Sequence, residues 1–107
     1  MTRAKRKANP KRDPDRCPTH PGAFLREIVL PDLKVSKTEL AKALRMSRQH
    51  FYGILGERQP VTPETAIKLQ AAFGGTAQSW LNMQTAYDLW HAARRVDVSG
   101  IPPMRAA

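Results

Sequence analysis

Apolar residues recur at helical spacing along most of the chain and fall into five blocks between residues 20 and 95. Pro21 suits the first position of the first helix, and Pro31 ends that helix. The side chains that share its predicted inner face are Phe24, Leu25, Ile28 and Val29. Five helices with short connections predict a compact all-α domain.

Each of the later helices begins at a residue suited to capping a helix N-terminus. The predicted caps are Ser36, Ser47, Thr62 and Thr76. Glu39 follows Ser36 by three residues, which predicts a capping box, and Gly56 ends the third helix near Leu55. Glycines at 74–75 end the fourth helix, and the fifth is predicted to run to about Arg95.

Three segments of the chain differ in composition. Residues 1–19 are rich in Lys, Arg and Pro and nearly free of apolar side chains, which predicts a flexible basic arm. We expect this arm to be a solvated tail rather than a DNA-contacting arm, because most charge runs are only solvated. Residues 20–95 form the predicted domain. Residues 96–107 form a tail, in which the alternation at 96–98 predicts at most a short edge strand.

Charge and cysteine content narrow the classes of function. The chain of 107 residues has a net charge of +9, and seven of its 18 Lys and Arg lie within residues 1–20. This balance favours a polyanionic partner. The lone cysteine, Cys17, excludes an internal disulfide. Since the sequence also lacks a membrane-spanning apolar run and a signal-peptide pattern, we expect a cytoplasmic protein.

Catalytic and metal-binding patterns are absent from the sequence. His20, His50 and His91 lack the spacing of metal ligands, and no Gly-rich phosphate-binding motif occurs. Structural or surface roles are therefore expected for the three histidines. We expect no enzyme activity, no metal and no cofactor.

The second and third helices meet the requirements of a helix-turn-helix. Ala41 supplies the small residue needed where the two helices approach, and residues 45–47 supply a tight turn. Met46, Phe51 and Ile54 would hold the third helix against the core. With those side chains buried, helical geometry exposes the opposite face of the third helix to a DNA groove.

The residue types on that exposed face suit DNA recognition. Arg48 can pair with guanine edges or a phosphate, Gln49 with adenine edges, and Tyr52 with a phosphate or a thymine methyl group. His50 falls between the buried and exposed faces and is not counted among the base readers. The full set of predicted DNA-binding residues is Lys37, Thr38, Ser47, Arg48, Gln49, Tyr52 and Arg58.

The fifth helix carries a second signal, a seam of large side chains along one side. Its members, at spacings of three, four and three residues, are Trp80, Met83, Tyr87 and Trp90. Core packing accounts for part of this surface, and the surplus predicts a protein partner, most simply a second copy of the chain. A two-fold dimer would place two recognition helices roughly 34 Å apart, one turn of DNA.

A series of short motifs runs in order through residues 20–95. The first are His20-Pro21-Gly22, Leu25-Arg26-Glu27, Ser36 with Thr38-Glu39-Leu40-Ala41, Ala43-Leu44 and Ser47-Arg48-Gln49. The later ones are Thr62-Pro63-Glu64-Thr65-Ala66, Leu69, Ala72-Phe73-Gly74, Trp80-Leu81-Asn82-Met83-Gln84 and Tyr87-Asp88-Leu89. Together they closely resemble the HigA/VapI-type antitoxins, a branch of the XRE helix-turn-helix superfamily of Cro and phage repressors.

The resemblance implies a five-helix, lambda-repressor-like fold. It also implies an antitoxin that neutralises a HigB-like toxin, a ribosome-dependent messenger-RNA endonuclease, and a homodimer that represses its own operon by binding operator DNA. Two positions depart from the family pattern. The family usually has Gly where this chain has Arg45, and a larger residue where this chain has Gly53, so both departures bear on DNA affinity.

Three other functions are compatible with the same residues. The first is a stand-alone XRE repressor without a toxin, which the neighbouring gene would distinguish. The second is a protein-binding inhibitor whose helix-turn-helix has lost DNA affinity, an idea that Arg45 and Gly53 encourage. The third is a small nuclease, whose activity would disappear on substitution of His50 or His91.

Overall fold

The structure is a computed structural model, and it describes residues 15–105 of the chain. Those residues form five α-helices joined by short connections, as predicted for an all-α domain with a central helix-turn-helix. The helices are α1 (Pro21–Phe24), α2 (Lys37–Ala43), α3 (Arg48–Leu55), α4 (Pro63–Phe73) and α5 (Ala77–Arg95). Helix α3 packs on α1 and α2, and α5 packs on α4 and α1.

The predicted helix starts are confirmed by their hydrogen bonds. The N–H of Glu39 donates to Oγ of Ser36 at 3.1 Å, and the N–H of Ser36 donates to Oε1 of Glu39 at 3.3 Å, which completes the capping box of α2. Ser47 caps α3 by accepting from an amide one turn later, and Thr62 and Thr76 cap α4 and α5 in the same way. Short-range sequence signals therefore set these boundaries.

The first helix differs from the regular helix that its spacing predicts. After α1 the backbone widens into a π-helical turn (Leu25–Val29), in which the N–H of Leu30 donates to the carbonyl of Leu25, and it ends in a 3₁₀ turn (Leu30–Asp32). The wider turn rotates the later side chains relative to an α-helix. Leu25, at the start of the turn, is fully buried as predicted, whereas Ile28, also predicted to face inward, is 59% exposed.

One continuous core lies between the helices. Its apolar members are Leu25, Leu40, Ala41, Leu44, Phe51, Ile54, Leu55, Val61, Ala66, Leu69 and Trp80. Ala41 is buried at the crossing of α2 and α3, as the helix-turn-helix prediction requires. Ile67 on α4 is exposed, because the buried residues 65, 66 and 69 lie on the opposite side of that helix.

Helix α1 makes a close backbone approach to the end of α3. A Cβ atom at Gly22 would overlap the carbonyl oxygen of Ile54, so only glycine fits there. The N–H of Gly22 donates to Nδ1 of buried His20 at 2.8 Å, which makes His20 the N-cap of α1. Burial is the main cause that lowers the pKa of His20, while Glu57 and Asp88 act in the opposite direction.

A buried amide links α5 to the loop between α3 and α4. The N–H of Val61 donates to Oε1 of Gln84 at 2.7 Å, and Nε2 of Gln84 donates to Oδ1 of Asp88 at 2.9 Å. Both Gln84 and Val61 are buried, so this hydrogen bond satisfies a backbone group that water does not reach.

The ends of the domain bear on three predictions. Residues 1–14 of the predicted basic arm lie outside the described residues, and Sγ of Cys17 lies 3.5 Å from Nε2 of His91 on α5. The strand considered at 96–98 does not form within residues 15–105, because those residues are exposed and no second strand lies beside them. Over the same range, no helix has the length and apolar character needed to cross a membrane.

Candidate nucleic-acid interface

The two sides of α3 differ in the way the helix-turn-helix prediction requires. Phe51 and Ile54 are 0% and 1% exposed, and they anchor α3 in the core. Arg48 and Gln49 are exposed on the other side, together with Tyr52 at 40% exposure. The predicted geometry is confirmed, and contact of these three side chains with DNA remains a prediction.

The turn before α3 fixes the angle between α2 and α3. Arg45 has a φ of 57°, in the left-handed region, so this arginine adopts the conformation for which the family uses glycine. Its carbonyl accepts from Nζ of Lys68 at 3.0 Å, and the N–H of Met46 donates to the carbonyl of Ala41 at 2.9 Å. These contacts hold the turn closed despite the missing glycine.

A pair of hydroxyl groups joins α2 to the exposed face of α3. Oγ1 of Thr38 and the phenol oxygen of Tyr52 lie 3.4 Å apart. This contact keeps the phenol at the surface between the two helices. Lys37, the first residue of α2, is exposed beside Thr38, so α2 presents a positive charge and a hydroxyl next to the face of α3.

Ser47 and Arg58 lie at opposite ends of α3. Oγ of Ser47 accepts from the N–H of His50 at 3.0 Å, and its own hydroxyl proton stays available to a phosphate oxygen. Arg58 is exposed in the loop after α3, and its guanidinium group covers Gly56. The seven predicted DNA-binding residues are therefore all exposed on α2, α3 and their adjoining turns.

Arg26 has a structural role at the C-terminal end of α3. Nη1 donates to the carbonyl of Leu55 at 2.6 Å, and Nη2 contacts Glu27 at 2.8 Å and Glu57 at 3.2 Å. The hydrogen bond that Arg26 donates to Glu27 is the main cause that raises the pKa of Arg26. This arginine satisfies the last turn of α3 and links it to the π-helical turn, so it is not available to DNA.

One polar side chain near the exposed face was not anticipated from the sequence. Gln59 is exposed, and with Ser47, Gln49 and His50 it borders a shallow polar pocket of about 300 Å³. Gly53 could have indicated this neighbour from the sequence, since a glycine inside a helix often marks the close approach of another group.

The predicted partner seam on α5 divides into a buried and an exposed part. Trp80 is only 4% exposed, packs edge-to-face on Phe24 and donates from Nε1 to the carbonyl of Gly74 at 3.1 Å. Trp80 is therefore a core residue, and the interface prediction was wrong to include it. The indole ring fills the space between α1 and α5. Helical periodicity alone does not reveal this tertiary contact.

The remaining three seam residues are half-buried along α5. Tyr87 packs between His20, in an edge-to-face arrangement, and His91, at a tilt, with ring centroids at 4.8 and 4.5 Å. The guanidinium carbon of Arg94 lies 3.6 Å from the ring centre of Trp90, and the shielded indole N–H of Trp90 has no acceptor within residues 15–105. These side chains form a half-buried aromatic surface on the C-terminal half of α5.

Met83 borders an apolar groove beside the N-terminal half of α5. The groove has a volume of about 500 Å³ and lies between residues 16–19, the first helical segment and α5. Its lining is mostly apolar and includes the exposed Ile28. Nothing in the described residues covers this groove, so it adds to the surface available for a protein partner.

Comparison with known proteins places this chain among helix-turn-helix proteins. No family model matches the sequence. Virulence-associated protein I of Dichelobacter nodosus is 51% identical over 70 residues, which span 65% of each chain. The uncharacterised HTH-type transcriptional regulator YddM of Escherichia coli is 39% identical over 79 residues, covering 74% of this chain and 83% of that protein. Antitoxin HigA-1 of Vibrio cholerae is 34% identical over 80 residues, covering 75% of both.

Solved structures agree with this assignment. Antitoxin GraA in complex with its operator superposes with a TM-score of 0.73 at 32% identity, over 83% of this chain and 93% of that one. Antitoxin HigA of Pseudomonas aeruginosa with the higBA promoter superposes with a TM-score of 0.70 at 30% identity, over 82% and 99%. The chain belongs to the HigA-type antitoxins of the XRE helix-turn-helix family.

Proposed function

We propose that this chain is an antitoxin that neutralises a HigB-like RNase toxin and, as a homodimer, represses its own operon by binding operator DNA. The observation that carries the DNA-binding part is the exposed face of α3, where Arg48, Gln49 and Tyr52 lie opposite the buried Phe51 and Ile54. Two relatives with the same fold were solved with an operator and with a promoter, which supports the same ligand for this chain.

The N-terminal half of α3 makes the base contacts. Arg48 and Gln49 are the first two residues of the helix, the part that enters the major groove in this motif. A guanidinium group matches the two acceptors of guanine, and a carboxamide matches the donor and acceptor of adenine. Tyr52, held beside Thr38, is placed to meet a phosphate or a thymine methyl group.

Phosphate contacts fall to the side chains around that helix. Lys37, Thr38, Ser47 and Arg58 are exposed on both sides of the α3 face. Positive charges and hydroxyl donors at these positions fix the register on the duplex without reading its sequence. Loss of one such charge lowers affinity for all DNA sequences to a similar degree.

The homodimer uses α5 and the surface beside it. Met83, Tyr87 and Trp90 are half-buried in the single chain, and the exposed Leu89 adjoins them. Aromatic side chains and methionine are enriched in such interfaces. A two-fold axis through this region presents two α3 helices to successive major grooves, roughly 34 Å apart.

A gel-shift experiment with the promoter of the chain's own operon tests the DNA-binding part. Arg48→Ala is expected to weaken operator binding by about 1–3 kcal/mol while affecting random DNA much less, because a base contact is lost. Arg105→Ala is the matched control, since it removes the same charge from the exposed C-terminal tail, outside α3 and α5. The absence of a salt-sensitive shift with the unmodified protein contradicts operator binding.

Co-expression with the adjacent gene tests the antitoxin part. If that gene encodes a small basic RNase-like protein, this chain is expected to restore growth and to co-purify with it. The alternative is a stand-alone XRE repressor, a function that the regulator YddM makes reasonable for this family. Operator binding without growth rescue or co-purification would favour that alternative.

A further inference from the structure

The recognition helix has a gap in its exposed face at Gly53. Residues four apart share one face of a helix, so position 53 lies one turn beyond Gln49. A side chain at 53 would point to the same side as Gln49, yet Gly53 itself is buried. The atom group that covers it comes from outside the helix.

That covering group is the side chain of Gln59. A Cβ atom built on Gly53 would lie only 2.6 Å from Cγ of Gln59 and 3.4 Å from its Cβ. The aliphatic part of Gln59 thus occupies the volume that a larger residue at 53 would fill. Glycine at 53 and glutamine at 59 are complementary in shape.

The loop after α3 holds Gln59 in this place through its backbone. Glu57 has a φ of 63°, which reverses the chain direction directly after the helix. The N–H groups of Arg58 and Gln59 then both donate to the carbonyl of Gly53, at 2.8 and 3.1 Å. Two residues later the N–H of Val61 is fixed by the buried Gln84. The position of Gln59 is therefore set by the fold rather than by its own side chain.

The carboxamide of Gln59 is free to bind a ligand. Gln59 is exposed, and its side-chain amide has no hydrogen-bond partner in the part of the chain that the structure describes. It borders the same polar pocket as Gln49, next to the N-terminal half of α3. A carboxamide carries one acceptor and two donors, the groups that read adenine edges in a major groove.

We propose that Gln59 contacts a base edge in the operator beside the base read by Gln49, from the loop and in place of a side chain at position 53. This inference rests on operator binding through α3. Gln59 then acts as a specificity-determining residue, and Gly53 acts as a positioning residue because its missing side chain makes room for Gln59.

Two variants test this inference by gel shift on the operator and on random DNA. Gln59→Ala is expected to weaken operator binding roughly 5- to 150-fold, the range for loss of one good base contact, with little change on random DNA. Gln78→Ala is the matched control, because Gln78 is an exposed glutamine at the start of α5, on a different side of that helix from Met83, Tyr87 and Trp90. A set of operators altered one base pair at a time should show relaxed preference at one position for Gln59→Ala.

Gly53→Ala provides an independent readout. The new methyl group displaces the Gln59 side chain, so operator affinity should fall although alanine favours the helix and thermal stability is retained or raised. The inference is overturned if Arg48→Ala loses operator binding while Gln59→Ala and Gly53→Ala bind as the unmodified protein does. If the unmodified protein does not bind the operator, the proposed function fails together with this inference.

Discussion

The hydrogen bond between Gln84 and Val61 should make a large contribution to stability. In Gln84→Leu the side chain keeps a similar size and helix propensity, but it loses the oxygen that accepts from the N–H of Val61 at 2.7 Å. Val61 is 3% exposed, so water does not replace that acceptor. The contact of Gln84 with Asp88 is also lost, although Asp88 is exposed and can be solvated.

The expected magnitude follows from the cost of a buried, unpaired amide. Leaving such a donor without a partner costs about 1–3 kcal/mol, and solvation of Asp88 keeps the second loss small. Burial of the new leucine offsets part of this cost, so we expect a net loss of about 2 kcal/mol. For a domain of this size each kcal/mol lowers the Tm by roughly 4–8 °C, so Tm should fall by roughly 10 °C.

Thermal and urea unfolding, followed by circular dichroism, measure this change. Gln78→Leu is the matched control, because Nε2 of Gln78 donates to Asn82 at 3.0 Å on the exposed side of the same helix. The control should change the free energy of unfolding by less than about 0.5 kcal/mol. If Gln84→Leu lowers stability no more than Gln78→Leu does, the argument for the buried amide is wrong.

Two further predictions concern the approach of α1 to α3. Gly22→Ala should destabilise the domain by about 1–3 kcal/mol or more, because the new methyl group overlaps the carbonyl of Ile54; an unfolding free energy within about 0.5 kcal/mol of the unmodified protein would contradict this. Burial lowers the pKa of His20 in the folded protein, so the unfolded chain binds a proton more readily at this residue. The domain should therefore have its full stability above about pH 6.5 and lose part of it as the pH falls toward the pKa of His20 in the folded protein. Urea unfolding between pH 7.5 and 5.5 measures how the free energy of unfolding depends on pH. His20→Asn keeps a capping side chain and should flatten this dependence, whereas the control His91→Asn should not. An equal dependence in all three proteins would refute the assignment to His20.

Local chemistry made much of the fold predictable from the sequence. Each cap uses a hydroxyl and an amide within three residues, so Ser36, Ser47, Thr62 and Thr76 can be recognised as helix starts without knowledge of the tertiary contacts. The outward face of α3 was predictable for a related reason. Once Phe51 and Ile54 are buried, helix geometry alone places Arg48 and Gln49 on the other side.

Features that depend on tertiary contacts were not predictable in the same way. The π-helical turn at Leu25–Val29 breaks the period from which the inner face of the first helix was read, so Ile28 was placed wrongly. Trp80 shares a helix face with Met83, and contacts made after folding, with Phe24 and with the carbonyl of Gly74, separate the buried Trp80 from the half-buried Met83. The neighbourhood of Gln59 and Gly53 depends on a reversal at Glu57, a residue with no turn signature.

The two departures from the family pattern have the same explanation, and it argues against an inhibitor that has lost its affinity for DNA. Arg45 adopts the left-handed conformation without glycine, a strain of about 1–3 kcal/mol that the contact of Lys68 with its carbonyl helps to offset. Gly53 lacks a side chain on the face of α3, and the aliphatic part of the Gln59 side chain fills that place. In both cases another side chain compensates for the change: Lys68 contacts the turn at Arg45, and Gln59 covers Gly53. The turn therefore stays closed and the face of α3 stays covered, so the geometry gives no support to a loss of DNA affinity at these two positions.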